Sequence, residues 1–314
     1  MSRMIEAERI EITSLVDNYT DTLLYDNTEV VTRHWTDPQK GFSAIPLAEH
    51  GLSMCVKVYR GSDEHICLFD TGLTDFCLFH NAEALGIDLE ECDSIVLSHG
   101  HRDHFGGLGK LLEVTRGNKL LVFHPDALLE RRLNNPAEKS MRILPQLDEQ
   151  ALSASGVNLR KLTSPCYLAA GTILALGSVS RTTDFEKGFP HAEAKIDGSW
   201  VTDPFHDDQA LVVMLKDKGL VVIGGCSHAG IINTIHYARK VTETQTVYAV
   251  LGGFHLTGAV FEPIIGKTIE EMKRIDPKFV IPMHCTGQKA ICRFSREMPN
   301  AFVQNVVGTT YRFE

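Results

Sequence analysis

The sequence predicts an α/β fold of mixed β-sheets flanked by helices, and three observations support this prediction. Short runs of apolar and β-branched residues recur along the chain, as at 94–97, and are typical of buried strands. Segments with helical spacing follow several of these runs, as at 75–86. Between Gln209 and Cys226, two apolar runs are joined by a glycine-containing turn, which predicts a β-hairpin.

The predicted elements alternate along the chain, apart from one polar stretch. In the first half we expect strands at 10–19, 54–60, 65–72 and 94–97, helices at 75–86 and 106–114, and a strand, a turn and a helix within 119–132. After the hairpin we expect helices at 230–241 and 264–275 and strands at 246–253 and 278–285. Because the stretch from 133 to 200 lacks a strong period, we expect one domain of residues 1–314 with an insertion around 133–200.

Charge and composition argue against several classes of protein. The 314 residues carry a formal net charge of -9, and no dense block of Lys and Arg indicates a nucleic-acid surface. Charged residues interrupt the first 18 positions, so the apolar core of a signal peptide is absent there. The most apolar stretch, 247–261, is too short to span a membrane. We therefore expect a cytoplasmic protein that binds neither nucleic acid nor membrane.

The strongest chemical signal is a histidine-rich segment between a predicted strand and a predicted helix. His99, His101, Asp103 and His104 place four metal-binding side chains within six residues. On an extended segment the side chains at i and i+2 point to the same side. The turn that follows brings Asp103 and His104 to a second position. The sequence therefore predicts a site for two metal ions.

This segment resembles the H-x-H-x-D-H motif of the metallo-β-lactamase superfamily, and the resemblance covers nearly the whole chain. The resemblance implies an αββα sandwich, in which two mixed β-sheets are flanked by helices. Asp70, in Asp70-Thr71-Gly72, matches the buried aspartate turn of the family. By this resemblance Asp70 is expected to orient the metal loop without binding metal itself.

Several short segments are similar to one branch of this superfamily, named for dihydropterin-methyl-ribofuranosylaminobenzene phosphate synthase. These segments are 16–19, 48–53, 207–211, 224–234, 252–256 and 282–287. The resemblance implies a small-molecule substrate, with a phosphorylated or pterin-like compound as a candidate.

Two later histidines are expected to complete the metal site. His228 follows a predicted strand and precedes a predicted helix, and His284 matches the last histidine ligand of the superfamily. The order departs from the superfamily pattern, because Cys226-Ser-His228 stands where a bridging aspartate is usual. Either His228 takes the place of that aspartate, which we favour, or His206 or Asp208 supplies the missing position.

The sequence leaves the metal and several roles open. Cys226 is a further candidate ligand through its thiol. Two divalent ions are expected, with zinc as the default and iron or manganese as alternatives. Asp103 is expected to bind and orient a metal-bound hydroxide. His50 and His255 are expected to stabilise negative charge that develops on the substrate.

These features predict a hydrolase that cleaves an ester, phosphoester or lactone in a small molecule by means of a metal-bound hydroxide. A second hypothesis is a transferase or synthase that acts on a pterin or phosphoribosyl compound. A third is a metal- or ligand-sensing protein with a degenerate site. The complete motif argues against this third hypothesis, whereas the altered second half of the site keeps it open. The oligomeric state, a homo-oligomer included, is left open by the sequence.

Overall fold

A computed structural model describes residues 4–34, 45–115, 119–135 and 139–314. The strands within these ranges are β1 (Arg9–Val16), β2 (Val31–Thr32), β3 (Ser53–Arg60), β4 (Asp63–Phe69), β5 (Ser94–Val96), β6 (Leu120–Phe123), β7 (Arg131–Asn135), β8 (Ser140–Ile143), β9 (Asn158–Lys161), β10 (Cys166–Leu168), β11 (Ile173–Ala175), β12 (Ala192–Ile196), β13 (Ser199–Thr202), β14 (Ala210–Leu215), β15 (Gly219–Gly224), β16 (Val247–Gly253), β17 (Phe279–Met283) and β18 (Thr310–Phe313). The helices are α1 (Asp75–Leu85), α2 (Arg102–Phe105), α3 (Leu108–Val114), α4 (Glu149–Ala154), α5 (Ile231–Thr242), α6 (Ile265–Ile275) and α7 (Gln288–Glu297).

Two large mixed sheets form the centre of the molecule. The eight-stranded sheet has the order β2-β18-β1-β3-β4-β5-β6-β9, and its strands are parallel from β4 to β9. The six-stranded sheet has the order β10-β11-β14-β15-β16-β17, and its strands are parallel from β15 to β17. The predicted hairpin is β14 and β15, which pair in antiparallel fashion. Each sheet therefore has a parallel part, and in both the carboxyl ends of several strands lie at one edge.

Apolar side chains of the two large sheets meet in a shared core. Ile10 and Ile12 of β1 belong to the same buried cluster as Val213 of β14 and Val221 of β15. All four side chains are fully buried. Burial of each such side chain contributes roughly 1.5–3 kcal/mol relative to its exposure to water. This contact between the inner faces holds the two sheets together.

Helices cover the outer face of each large sheet. Leu78 of α1 and Leu111 of α3 pack in one buried cluster with Leu68 of β4. On the other side, residues of α5, α6 and α7 share a cluster with β14, β15 and β16, as Ile235 and Val222 illustrate. The order of layers is helix, sheet, sheet, helix, and the predicted αββα arrangement is confirmed.

One predicted helix is wrong. The last part of 119–132 does not continue as a helix after β6: Pro125–Leu128 forms a short 3-10 helix and Arg131 begins β7. The physical reason is tertiary. β7 pairs with β8 and β12, and its Arg131 is buried in ion pairs, which outweighs the local helical spacing.

The stretch around 133–200 contributes strands to three sheets. A small antiparallel sheet has the order β13-β12-β7-β8, while β9 joins the eight-stranded sheet and β10 and β11 join the six-stranded one. That this stretch is an insertion in a single domain of residues 1–314 remains a prediction.

The sequence patterns did not predict the last two elements. α7 packs on the outer side of the six-stranded sheet, and β18 pairs with β1 and β2 in the other sheet. Among the described residues, no helix is both long and apolar enough to cross a membrane.

Candidate metal centre

The candidate metal centre lies where strands of both large sheets end. The loop that carries residues 99–104 follows β5, and His228 lies in the loop after β15. His255 lies just beyond β16, and His284 directly follows β17. In open α/β sheets, ligands bind beyond the carboxyl ends of parallel strands, and here these ends converge from two sheets.

The converging loops bring together two adjacent groups of side chains that could hold a metal ion. The first metal-binding group is His99, His101 and His228, and the second metal-binding group is Asp103, His104, Cys226 and His284. Within each group the ligand atoms lie within 4.8 Å of one another. Cys226 also lies within this distance of His228 and His255, so its thiol is near both groups.

Asp70 holds two histidines of the loop after β5. Its carboxylate accepts hydrogen bonds from Nδ1 of His104 at 2.6 Å and from the Ser98 hydroxyl at 2.7 Å. The same hydroxyl lies 2.9 Å from Nδ1 of His99. One buried carboxylate therefore orients a histidine of each metal-binding group. A Cβ at Gly225 would overlap the Ser98 side chain, so glycine is required there.

Asp17 and Asn18 hold His284 in a similar way, and the sequence did not predict this role. The Asp17 carboxylate accepts the backbone N–H of His284 at 2.7 Å, and Asn18 Oδ1 lies 3.1 Å from His284 Nδ1. Asp17 is also bonded by the Asn305 amide at 2.6 Å. Residues 16–19 carry the branch resemblance, but 266 positions separate Asn18 from His284, and no local signal links them.

A buried ion triad supports the backbone between His99 and His101. Arg131 donates to Asp203 at 2.7 Å and to Asp207 at 2.8 Å. The second oxygen of Asp207 accepts the backbone N–H of Gly100 at 2.8 Å. All three charged side chains are buried. Arg131 of β7 is thereby connected, through Asp207, to the loop of residues 99–104.

The candidates for the position of the bridging aspartate have different surroundings in the structure. Both oxygens of Asp208 accept backbone N–H groups, from His228 and Ala229, each at 2.9 Å. His206 is 61% exposed and contacts Asp126. His228 lies in the first metal-binding group, whereas Cys226 lies in the second.

The surroundings of four buried histidines shift their pKa values in opposite directions. Burial is the main cause that lowers the pKa of His99 and His228 well below the usual value, and it lowers that of His101 to about 4. Burial also disfavours the charged form of His104, but the carboxylates of Asp70 and Asp103 outweigh it and raise this pKa to about 9. Three imidazoles are therefore neutral at pH 7, as metal ligands must be.

His50 and His255 flank the metal-binding groups. The exposed ring of His50 lies with Nε2 3.7 Å from Asp103 Oδ2, and its Nδ1 is 3.1 Å from the Asn18 amide. His255 is partly buried, has a φ of 45°, and lies with its ring centroid 4.2 Å from that of His228. Both residues are thus near enough to touch a molecule bound at the groups.

The residues present fit divalent metal ions. His99, His104 and His284 each have Nδ1 engaged with Ser98, Asp70 and Asn18, respectively, which leaves Nε2 for the interior of the site. Nε2 of His101 and of His284 are buried and have no hydrogen-bond partner in the part of the chain that the structure describes, and Nε2 of His228 lies 3.2 Å from Nε2 of His99. Ligand histidines typically have one nitrogen held by a neighbour and the other free for metal.

Comparisons with known proteins identify related chains. Residues 56–144 match the family model described as the metallo-beta-lactamase superfamily. A Methanocaldococcus jannaschii protein, 7,8-dihydropterin-6-methyl-4-(beta-D-ribofuranosyl)-aminobenzene-5'-phosphate synthase, is 28% identical over 290 residues, covering 92% of this chain and 97% of that protein. An uncharacterized protein of the same organism is 33% identical over 262 residues, covering 83% of this chain and 93% of that protein.

The solved structures agree with these sequence matches. Tm1679, described as a metal-dependent hydrolase of the beta-lactamase superfamily, has a TM-score of 0.73 and 26% identity, covering 97% of this chain and 98% of that one. The chain therefore belongs to the metallo-β-lactamase superfamily. Membership of this enzyme superfamily implies that the chain binds divalent metal, in agreement with the two groups of side chains described above.

Proposed function

We propose that this chain is a metal-dependent hydrolase that cleaves an ester, phosphoester or lactone bond in a small molecule. The observation that carries the proposal is the pair of adjacent metal-binding groups at one edge of the sandwich. Two-metal hydrolases need such a pair, because one ligand set must hold each ion close to the other. The similarity to a solved metal-dependent hydrolase, at 26% identity over 97% of the chain, supports the same conclusion.

The first metal-binding group would hold one ion and the second metal-binding group the other. Nitrogen and sulfur donors outnumber the single carboxylate of Asp103, so we propose zinc at both positions, with iron and manganese as alternatives. When bound, such ions polarise a carbonyl or phosphoryl oxygen and lower the pKa of water.

In this proposal Cys226, rather than the His228 favoured from the sequence, takes the position of the bridging aspartate, because His228 lies with His99 and His101 in the first metal-binding group. The buried Sγ of Cys226 lies 3.1 Å from Nε2 of His104 and near both groups. Asp208 is a poorer candidate, because both of its carboxylate oxygens already accept backbone N–H groups.

Cobalt substitution tests the role of Cys226. We expect the cobalt-loaded protein to show the absorption of a thiolate-to-cobalt charge transfer, and Cys226→Ser to lose this absorption and to bind one ion more weakly. Cys292→Ser is the control, because Cys292 is exposed and lies outside both groups. A spectrum that Cys226→Ser leaves unchanged would exclude the thiolate ligand.

Asp103, His50 and His255 are proposed to act on water and substrate. Asp103 Oδ2 lies 3.3 Å from Nε2 of His284 and 3.7 Å from Nε2 of His104 and of His50. From this position its carboxylate can accept a hydrogen bond from the attacking water and orient it. His50 and His255 lie on either side and would donate hydrogen bonds to the oxygen that gains negative charge.

A synthase that acts on a pterin or phosphoribosyl compound is the alternative. It is supported by the 28% identity to a relative named as a synthase of a dihydropterin compound, over 92% of the chain. In this alternative the same residues would hold a phosphorylated substrate, but the product would contain a new bond between two substrates rather than the elements of water.

The two functions can be distinguished with metal-loaded protein. Phosphoesters, lactones and esters would be assayed in ¹⁸O-labelled water, in parallel with a pterin and an aminobenzoate-type acceptor. Label in the product supports the hydrolase, whereas an unlabelled condensation product supports the synthase. Turnover that survives complete removal of metal would contradict both.

A further inference from the structure

A small cavity lies beside His228 and His255, and neither metal-binding group accounts for it. Its volume is about 170 Å³. Its apolar lining consists of Phe185, Phe254, Leu256, Val260, Phe261 and Ile264. Pockets for drug-sized ligands have volumes of roughly 300–1,000 Å³. The cavity therefore has room for one ring or a short chain and not for a large ligand.

Aromatic rings form one side of this cavity at defined angles. The ring centroids of His255 and Phe261 are 4.5 Å apart with an interplanar angle of 84°. Phe189 backs this pair, 5.2 Å from Phe261 and 5.8 Å from His255. Aromatic pairs prefer edge-to-face and offset contacts at such distances. A flat ring in the cavity can make these contacts, whereas a saturated chain cannot.

The lining also contains polar and charged residues, namely Glu186, Lys187, Ser227, His228 and His255. Nδ1 of His228 and Nδ1 of His255 are buried and lack a hydrogen-bond partner in the described ranges. The Glu186 carboxylate also lines the cavity, but it accepts the backbone N–H groups of Ile232 at 3.0 Å and Asn233 at 2.8 Å. A ligand in the cavity therefore meets apolar side chains together with two imidazole nitrogens that lack a partner, one of them on His228 of the first metal-binding group.

We infer that this cavity binds a single planar aromatic ring attached to the bond that reacts at the metal-binding groups. The identity of the reacting bond rests on the proposed function, whereas the preference for a ring rests on the cavity alone. The preferred substrates are then aryl or benzyl esters, phosphoesters or lactones with one ring, rather than their methyl counterparts.

Binding of two phosphonates to zinc-loaded protein tests the inference without turnover. We expect phenylphosphonate to bind at least about tenfold more tightly than methylphosphonate in calorimetric titrations, because only the former buries a ring. Val260→Trp, which fills the cavity from its lining, is expected to abolish this difference and to leave methylphosphonate binding unchanged. Val201→Trp, at an exposed valine of β13 outside the lining, is the matched control.

A second variant protects the test against misfolding. Phe261→Leu removes one aromatic wall and is expected to reduce the ratio of the two affinities several-fold, while the melting temperature reports on folding of each variant. Equal affinity of wild-type protein for the two phosphonates, no binding of phenylphosphonate, or a ratio that neither variant changes would overturn the inference.

The outcome is separable from that of the proposed function. Hydrolysis of benzyl and methyl substrates with the same efficiency would contradict the preference for a ring but support the proposed hydrolase function. Selective binding of phenylphosphonate by a protein that hydrolyses no substrate would support the cavity as a site for an aromatic ring but contradict the proposed hydrolase function.

Discussion

The two halves of the chain contribute to the metal centre in different ways. The first half supplies His99, His101, Asp103 and His104 from one loop after β5. The second half supplies Cys226 and His228 after β15, His255 after β16 and His284 after β17, and these three strands are parallel. The first contribution is local in sequence, and the second exists only once the six-stranded sheet has formed.

The residues that orient the histidines of the two halves differ in how many metal-binding groups they act on. Asp70 orients His104 directly and His99 through Ser98, so it acts on both metal-binding groups. Asn18 orients only His284, which belongs to the second group. Loss of Asp70 should therefore weaken the binding of both proposed ions, whereas loss of Asn18 should weaken the binding of one.

The largest expected effect is that of removing a ligand from the first metal-binding group. His101→Ala and His228→Ala come from different halves, yet both should abolish turnover and reduce bound metal from two equivalents toward one, because each removes one of three ligands. Metal analysis after dialysis measures this. His206→Ala is the control, because His206 is exposed and contacts Asp126; full metal content in His101→Ala would contradict the assignment.

The next largest effect is expected from breaking the buried ion pairs of Arg131 with Asp203 and Asp207. Arg131→Met leaves Asp203 and Asp207 buried without their cation and should cost about 3–5 kcal/mol of unfolding free energy. The neighbouring Arg132 pairs with Glu193 where the two side chains are 19% and 22% exposed, so water reaches this pair and Arg132→Met should cost about 1 kcal/mol or less. Urea unfolding of both variants makes the comparison, and equal losses would show that the triad gives no special support.

The reach of the two supports can be compared by a chelator titration. Asp70→Ala should weaken the binding of both ions by roughly 10–100-fold, whereas Asn18→Ala should weaken the binding of one ion by a similar or smaller factor. The physical reason is that Asp70 bonds His104 directly and reaches His99 through the Ser98 hydroxyl, whereas the member of the two groups that Asn18 contacts is His284. The expectation would be contradicted if the chelator removed both ions more easily from Asn18→Ala, or only one ion more easily from Asp70→Ala.

A pH dependence is expected at Glu186, whose carboxylate accepts backbone N–H groups in the first turn of α5. Burial raises the pKa of this carboxyl to about 7 from a usual value of 4.5. The folded state therefore retains a proton that the unfolded chain releases, so this contribution to stability is full below pH 4.5 and is lost as pH rises through 7. The stability of wild type relative to Glu186→Gln should fall over this interval in urea unfolding, and a constant difference would contradict the shift.

The pattern of the sequence predicted most of the αββα fold, because alternation of apolar runs with helical spacing is a local property. It also predicted the loop of His99 to His104, since strand, motif and helix are adjacent in the chain. The pattern failed after Phe123, where helical spacing was present but a short 3-10 helix and β7 formed. Pairing with β12 and burial of Arg131 decided that segment, and both depend on residues some 60 to 75 positions away.

By itself, the sequence determined the fold class and the four metal-binding side chains of one loop, because spacing along a strand and its turn sets where those side chains point. Only the tertiary structure decided that Cys226 lies with Asp103, His104 and His284 and that His228 lies with His99 and His101. It also brought Asn18 to His284. These contacts join distant strand ends, and their distances are set by the packing of two sheets rather than by any local pattern.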